Sequence, residues 1–193
     1  MSELVLIVVA AALVNNFVLV QLLGVCPLMS ASRRVEGAVG TGLATGLVLT
    51  VASGASYLID RLVLQRFDVQ YLRLLSFVVV IGVTVQAIDL LIRRLSPLLH
   101  RVLGIYIPLV AGNCAVLGVA LLNSVASRSL VAALFYGAGA ALGFTLALAL
   151  LAGMRERLEH ADVPAPFRGP SIAFVTAGIL SLAFLGFAGF ARL

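Results

Sequence analysis

Cys26 and Cys114 are the only thiols in a chain of 193 residues, and each stands two places after a glycine, in Gly24-Val25-Cys26-Pro27 and Gly112-Asn113-Cys114. Thiolates are soft donors that favour iron–sulfur clusters, zinc or copper(I). A cysteine buried in an apolar span can equally be inert packing, and a disulfide between the two is a third option. An iron–sulfur cluster of the usual type takes four thiolates, so a cluster held by this pair needs two more from another polypeptide. Histidine does not fill the gap: His100 and His160 lie in charged loops without ligand spacing and read as solvated side chains.

Both Gly-x-Cys sites interrupt apolar runs. Ile105 to Asn123, IYIPLVAGNCAVLGVALLN, is long enough to cross a bilayer but is broken near its middle by Gly112, Asn113 and Cys114, with Pro108 removing a further backbone donor. Leu22 to Met29 repeats the break in miniature. In hydrocarbon each unpaired backbone group costs several kcal/mol, so broken backbone at that depth lines a cavity or a cofactor. Asn15, Asn16 and Asn113 accompany the breaks, and an intramembrane amide must bond free backbone, donate to a cofactor's sulfur atoms or meet a partner chain. Bonding the broken backbone is the leading role. Asp89 and Arg93, four residues apart on one helical face, read as a snorkelling ion pair rather than an ion path. Ser53-Gly-Ala-Ser56 resembles a covalent flavin-phosphate site but lacks its terminal threonine and lies inside an apolar run, so no covalent flavin is expected. No phosphate cradle, nucleophile elbow or metalloprotease motif is present.

The elements that must position these residues are membrane helices. Apolar residues make up 62% of the chain and charged ones 11%, with a mean hydropathy of +1.17, which fits a polytopic membrane protein and not a soluble domain. The net charge of +5 comes from thirteen arginines and no lysine, placed mainly between apolar runs as interfacial anchors, so no nucleic acid partner is implied. Runs of about 17–25 residues, one crossing each, give six spans: Leu4 to Leu23, Val35 to Ile59, Tyr71 to Ile92, Val102 to Leu122, Ser129 to Ala152 and Pro170 to Ala191. With the N-terminus outside, Arg33, Arg34, Arg93, Arg94, Arg101, Arg155, Arg157 and Arg168 face the cytoplasm, against Arg61, Arg66, Arg73, Arg128 and Arg192 opposite. The positive-inside rule therefore puts both termini on the periplasmic side. The longest connection, Arg155 to Gly169, reads as an ordered cytoplasmic docking or capping loop.

Gly40-Thr-Gly42-Leu-Ala44-Thr-Gly46 in the second span reappears as Gly137-Ala-Gly139-Ala-Ala141-Leu-Gly143 in the fifth. Such small residues let helix backbones approach closely where lipid offers no hydrophobic drive. The expected fold is therefore all-α: one integral membrane domain over 1–193, its six helices forming two three-helix repeats, about 1–95 and 100–193. An odd number of spans per repeat makes them inverted, with interrupted helices around Cys26 and Cys114 and the site near the midplane. Residue types and spacing alone leave an inverted-repeat secondary transporter and a purely structural anchor open beside an electron carrier.

Three stretches carry a specific resemblance: Asn15-Asn-Phe-Val-Leu-Val-Gln-Leu-Leu-Gly-Val-Cys26-Pro27; Leu103-Gly-Ile-Tyr-Ile-Pro-Leu109 running into Asn113-Cys-Ala-Val-Leu-Gly118; and Ala161-Asp-Val-Pro-Ala-Pro-Phe-Arg-Gly169. Across essentially its whole length the chain resembles the family of A-type subunits of the Rnf (Rsx) electron transport complex, and more distantly the D-type and E-type subunits of the sodium-pumping NADH:quinone oxidoreductase. The resemblance implies a component of an inner-membrane translocase that passes electrons between ferredoxin and NAD, coupled to Na+ or H+ movement, with no complete active site in this chain alone. It further implies pairing with the homologous E-type subunit of the Rnf complex in inverted orientation, alongside the B-, C-, D- and G-type subunits, and a [2Fe-2S] cluster shared by the A-type and E-type chains. Cys26 and Cys114 match the family's cluster cysteines. Gly24, Gly112 and Asn113 would then bring backbone and amide donors to the cluster sulfurs.

Overall fold

The computed structural model describes residues 2–14, 16–32, 35–64, 66, 70–95, 110, 112–126, 129–161, 164 and 169–190, and every regular element among them is helical. They are α1 (Ser2–Val9), continued by a π-helical turn over Ala10–Val14; α2 (Phe17–Val20); α3 (Val25–Ala31); α4 (Val35–Ile59), continued by a second π-helical turn over Asp60–Leu64; a 3-10 turn (Gln70–Leu72) leading into α5 (Arg73–Leu95); α6 (Cys114–Val125); α7 (Leu130–Glu159); and α8 (Pro170–Phe190). Asn15, Arg33, Arg34, Asp68, His100, Arg101, Pro108, Arg128, Pro166 and Arg168 lie outside the described residues.

Three helical segments, Val35–Leu64, Arg73–Arg94 and Leu130–Glu159, are long and apolar enough to cross a membrane. A fourth crossing is counted if the pair Ile7–Val20 and Val25–Ala31, bent by 90°, is one broken span. The expected second span matches α4 residue for residue. The expected first span is divided at Asn16 and again over 21–24. Of the expected fourth span, α6 is the described part, and its 12 residues are too short to cross alone.

The glycine pattern becomes the central contact. Gly42 faces Thr145, Gly46 faces Ala141 and Gly54 faces Leu134, so partner numbers fall along α7 as they rise along α4, and the two helices run antiparallel. A Cβ at Gly42 would sit 2.7 Å from Thr145 Cγ2, and one at Gly137 would sit 2.9 Å from Ser53 Cβ, so small residues set how closely the helices approach. Ser53 Oγ donates to the Ala133 carbonyl at 2.6 Å and accepts from Asn123 Nδ2 at 2.6 Å. The serine of the discounted flavin-like motif thus stitches α4 to α7 and α6.

Around this pair, α1 lies on α7 and α6 lies on α4; α5 touches α4 and α6, while α8 touches α7, α2 and the π-helical turn after α1. Two expectations about charge need correction. Asp60, assigned to a connection, is buried in the π-helical turn; Arg73 Nε approaches its Oδ1 at 3.2 Å and Ser124 Oγ donates to its Oδ2 at 3.0 Å. The apolar run is one turn longer than its uncharged part because a partnered carboxylate can be buried where a lone one cannot. Arg155 to Glu159, assigned to a loop, are the last turns of α7. Asp89 and Arg93 do form the expected i,i+4 pair, 3.0 Å apart on the exposed face of α5.

Candidate metal centre

The first break is built around Asn16. Its Oδ1 accepts from Val18 N at 3.1 Å, capping α2, while Nδ2 donates to the Ala12 carbonyl at 3.1 Å and the Gly143 carbonyl at 3.0 Å. The side chain is fully buried, so it bonds the backbone on both sides of the interruption and fastens it to α7. The freed carbonyl of Leu19 accepts from Ser181 Oγ of α8. The chain then turns through Leu22, at φ +54°, and Gly24, at φ +85°, before α3 begins. Left-handed backbone costs an L-residue about 1–2 kcal/mol, which glycine avoids and Leu22 does not. Cys26 is the second residue of α3, and Pro27 follows in the first turn, where no intrahelical N–H bond is lost.

The second break is built around Asn113, whose Oδ1 accepts from Ala115 N at 3.0 Å and caps α6. Cys114 is the first residue of that helix. The two breaks meet at Cys114 Sγ, which accepts a hydrogen bond from Gly24 N at 3.2 Å. A Cβ at Gly24 would lie 3.0 Å from Ala115 Cβ and 3.2 Å from Asn113 Oδ1, so the turn is seated directly on the start of α6. Phe17 and Phe144, both buried, stack with centroids 6.4 Å apart beneath it. Gly112, by contrast, faces open space.

Cys26 and Cys114 are both free thiols and both exposed, which corrects the expectation of cysteines buried within spans. A cysteine in the first turn of a helix that begins at a break projects out of the packed bundle. Asn113 Nδ2 is buried and makes no hydrogen bond among the described residues, unlike the corresponding atom of Asn16. Cys114, with the Gly24 N–H already aimed at its sulfur, and Cys26, two residues beyond that glycine, offer soft donors of the type a sulfur-ligated metal centre takes. Among the described residues no group of three or more His, Cys, Asp or Glu side chains could hold a metal ion, and with two cysteines in the chain a four-thiolate cluster would take two thiolates from elsewhere. His160 is exposed, with Nδ1 2.9 Å from the Glu156 carbonyl, away from both cysteines.

Sequence reasoning selected the cysteines and the asparagines but missed Asp60, Arg73 and Arg155, because charge at the end of an apolar run reads as topology. The available signal was a serine near each short helix's end, Ser32 and Ser124, each bonded to one of these charges.

Substituting Gly24→Ala tests the seat of the turn. Left-handed strain plus the close Ala115 contact predict a loss of about 1–2 kcal/mol, read by denaturant unfolding in detergent. Gly82→Ala in α5, where a Cβ meets nothing within 4 Å, should cost no stability.

The family model described as Rnf-Nqr subunit, membrane protein, matches residues 4–191. Among curated relatives, a protein of Alkalilimnicola ehrlichii is 57% identical over 193 residues, covering 100% of both chains. One from Vibrio vulnificus is 52% identical over 192 residues, again covering 100% of both, and one from Cereibacter sphaeroides is 53% identical over 191 residues, covering 99% of each. All three are named as the A-type subunit of an ion-translocating oxidoreductase complex.

Proposed function

Because the chain belongs to the Rnf-Nqr family of membrane subunits, we propose that it is the component of a redox-driven ion-translocating complex that carries electrons through the membrane on a [2Fe-2S] cluster shared with a homologous partner. Cys26 and Cys114 supply half of the ligands, and the homologous E-type subunit, in inverted orientation, supplies the other half. The observation that carries this reading is the hydrogen bond that joins the two Gly-x-Cys breaks, Gly24 N donating to Cys114 Sγ at 3.2 Å, with both thiols exposed. Exposure suits a half-site that is completed by another chain.

The cluster, when bound, supplies a one-electron centre inside hydrocarbon about 30 Å thick, which is too wide for one efficient hop. The chain's own residues ligate and tune it. Gly24 N–H places a donor at the Cys114 sulfur, and Asn113, the residue before Cys114, would offer its Nδ2 to the cluster. Two inverted halves are supported by the helix contacts. The first helix of each half, α1 or α6, lies on the second helix of the other half, α7 or α4, and the third, α5 or α8, touches its own second helix and the other half's first segment. A pseudo-two-fold axis would exchange contacts in that way. The arginine distribution supports an inner-membrane protein with both termini on the periplasmic side. Coupling to Na+ or H+ follows if charge held at the breaks shifts the balance between two packings of the short helices α2, α3 and α6.

Iron and acid-labile sulfide in the purified complex, with its electron paramagnetic resonance spectrum after reduction, test the reading. Cys26→Ser together with Cys114→Ser should remove two irons, two sulfides and one signal. An unchanged iron content with an unchanged spectrum would leave the cysteines as packing and return the chain to a transporter or anchor.

A further inference from the structure

The helix that carries Cys26 is seven residues long, too short to hold itself. Its far end is held by another helix. Arg155, in the last turns of α7, donates through Nη1 to the Met29 carbonyl at 2.9 Å and to Ser32 Oγ at 2.8 Å. Met29 is among the last four residues of α3, whose carbonyls lack intrahelical partners, and Ser32, fully buried, is its C-terminal cap. The adjacent Glu156 accepts the Val35 N–H through Oε1 at 3.1 Å, at the first residue of α4. One turn of α7 therefore places a cation on the C-terminal end of α3 and an anion on the N-terminal end of α4, each matching the dipole it meets. The residues tied together are more than 120 apart in sequence, so these bonds fix where α3 sits against the rest of the bundle.

We infer that Arg155 is a positioning residue for Cys26: it locks α3 along its axis and so sets where the Cys26 sulfur stands relative to Cys114. This rests on the shared-cluster reading for what the sulfur ligates, but not for the tie itself. At 1.5 Å of rise per residue, a slip of α3 by less than one residue moves a ligand by more than a metal–sulfur bond tolerates. Arg155 touches no cluster ligand, so its effect on the centre passes through α3.

The test uses the intact complex carrying Arg155→Met, Arg155→Lys or the milder Ser32→Ala, with two readouts. Hydrogen exchange of the peptide covering α3 reports the tie without reference to iron. Arg155→Met should speed it on the order of tenfold, the scale of a lost charge-assisted hydrogen bond. Arg155→Lys, which keeps the charge and can still donate from its ammonium, should restore most of the protection, and Ser32→Ala should give a smaller change in the same direction. The g-values and midpoint potential of the cluster report the sulfur's position, and they should shift in Arg155→Met and return toward wild type in Arg155→Lys. Unchanged exchange in Arg155→Met overturns the inference. So does faster exchange with an unaltered spectrum and potential, because the tie would then be structural only. A wild-type complex without the cluster signal sinks the shared-cluster reading and with it the ligand role of Cys26, while exchange still decides whether Arg155 holds α3.

Discussion

Serine at Cys26 or Cys114 is expected to stop electron transfer through the assembled complex, a loss on the order of a hundredfold or more, because even partners one shell removed from a metal commonly cost 10–100-fold. The hydroxyl is a hard, protonated oxygen where a soft thiolate is required. If, as proposed, each chain gives two ligands, a single loss leaves three, so Cys26→Ser, Cys114→Ser and the double substitution should be about equally inactive, as residues acting as one unit are. The side chains are exposed and outside the core, so the chain should still fold and join its partners at wild-type yield. Turnover measured on complexes matched for subunit content checks this. Substantial turnover in the double substitution would show that electrons cross by another route.

How far the chain could be read before its structure follows from which signals are local. The limits of α4 follow from a 25-residue apolar run, and the repeated glycine pattern points to close helix packing, but not to which helix each copy meets. Asn16 and Asn113 both cap helices at breaks, as intramembrane amides beside broken backbone must. Their difference was not legible: Asn16 uses its amide nitrogen on Ala12 and Gly143, whereas that of Asn113 makes no hydrogen bond among the described residues. The contact that separates them joins residues 127 apart, and no window of sequence contains it. Asp60 and Arg155 were misread for the same reason. A charge at the end of an apolar run is assigned to water unless its partner is known, and the partners, Arg73 and Ser124 for one and Met29 and Ser32 for the other, lie on different helices. Exposure of the cysteines was hidden as well, since hydropathy reports that a span is apolar and not which side of it faces the bundle.

Alanine at Gly139 or Gly143 is expected to destabilise the bundle by pressing a methyl group against the main chain of a neighbouring helix. The opposing atoms belong to the main chain of the first helical segment: a Cβ at Gly139 would stand 2.8 Å from the Val8 carbonyl oxygen and 2.9 Å from Val8 Cα, and one at Gly143 would stand 2.9 Å from the Ala12 carbonyl oxygen. A side chain can rotate away from such a contact, but a backbone carbonyl moves only if its helix moves. Overpacking of this kind costs about 1–3 kcal/mol per site, while the gain in helix propensity from Gly to Ala offsets about 1 kcal/mol of it. Gly153→Ala in the same helix keeps that gain, and a Cβ there meets nothing within 4 Å, so it should be neutral or slightly stabilising. Denaturant unfolding of the three variants in detergent, with yield of assembled complex, separates the two classes. The consequence for function is directional, because Gly143 carries the carbonyl to which Asn16 Nδ2 donates at 3.0 Å. Pushing α1 away from α7 there strips the cap of α2 of its long-range bond and loosens the turn that presents Gly24 to Cys114. Gly143→Ala should therefore disturb the cysteine site more than Gly139→Ala at equal loss of stability, and equal disturbance by both would mean that the Asn16 bond to α7 does not hold the turn.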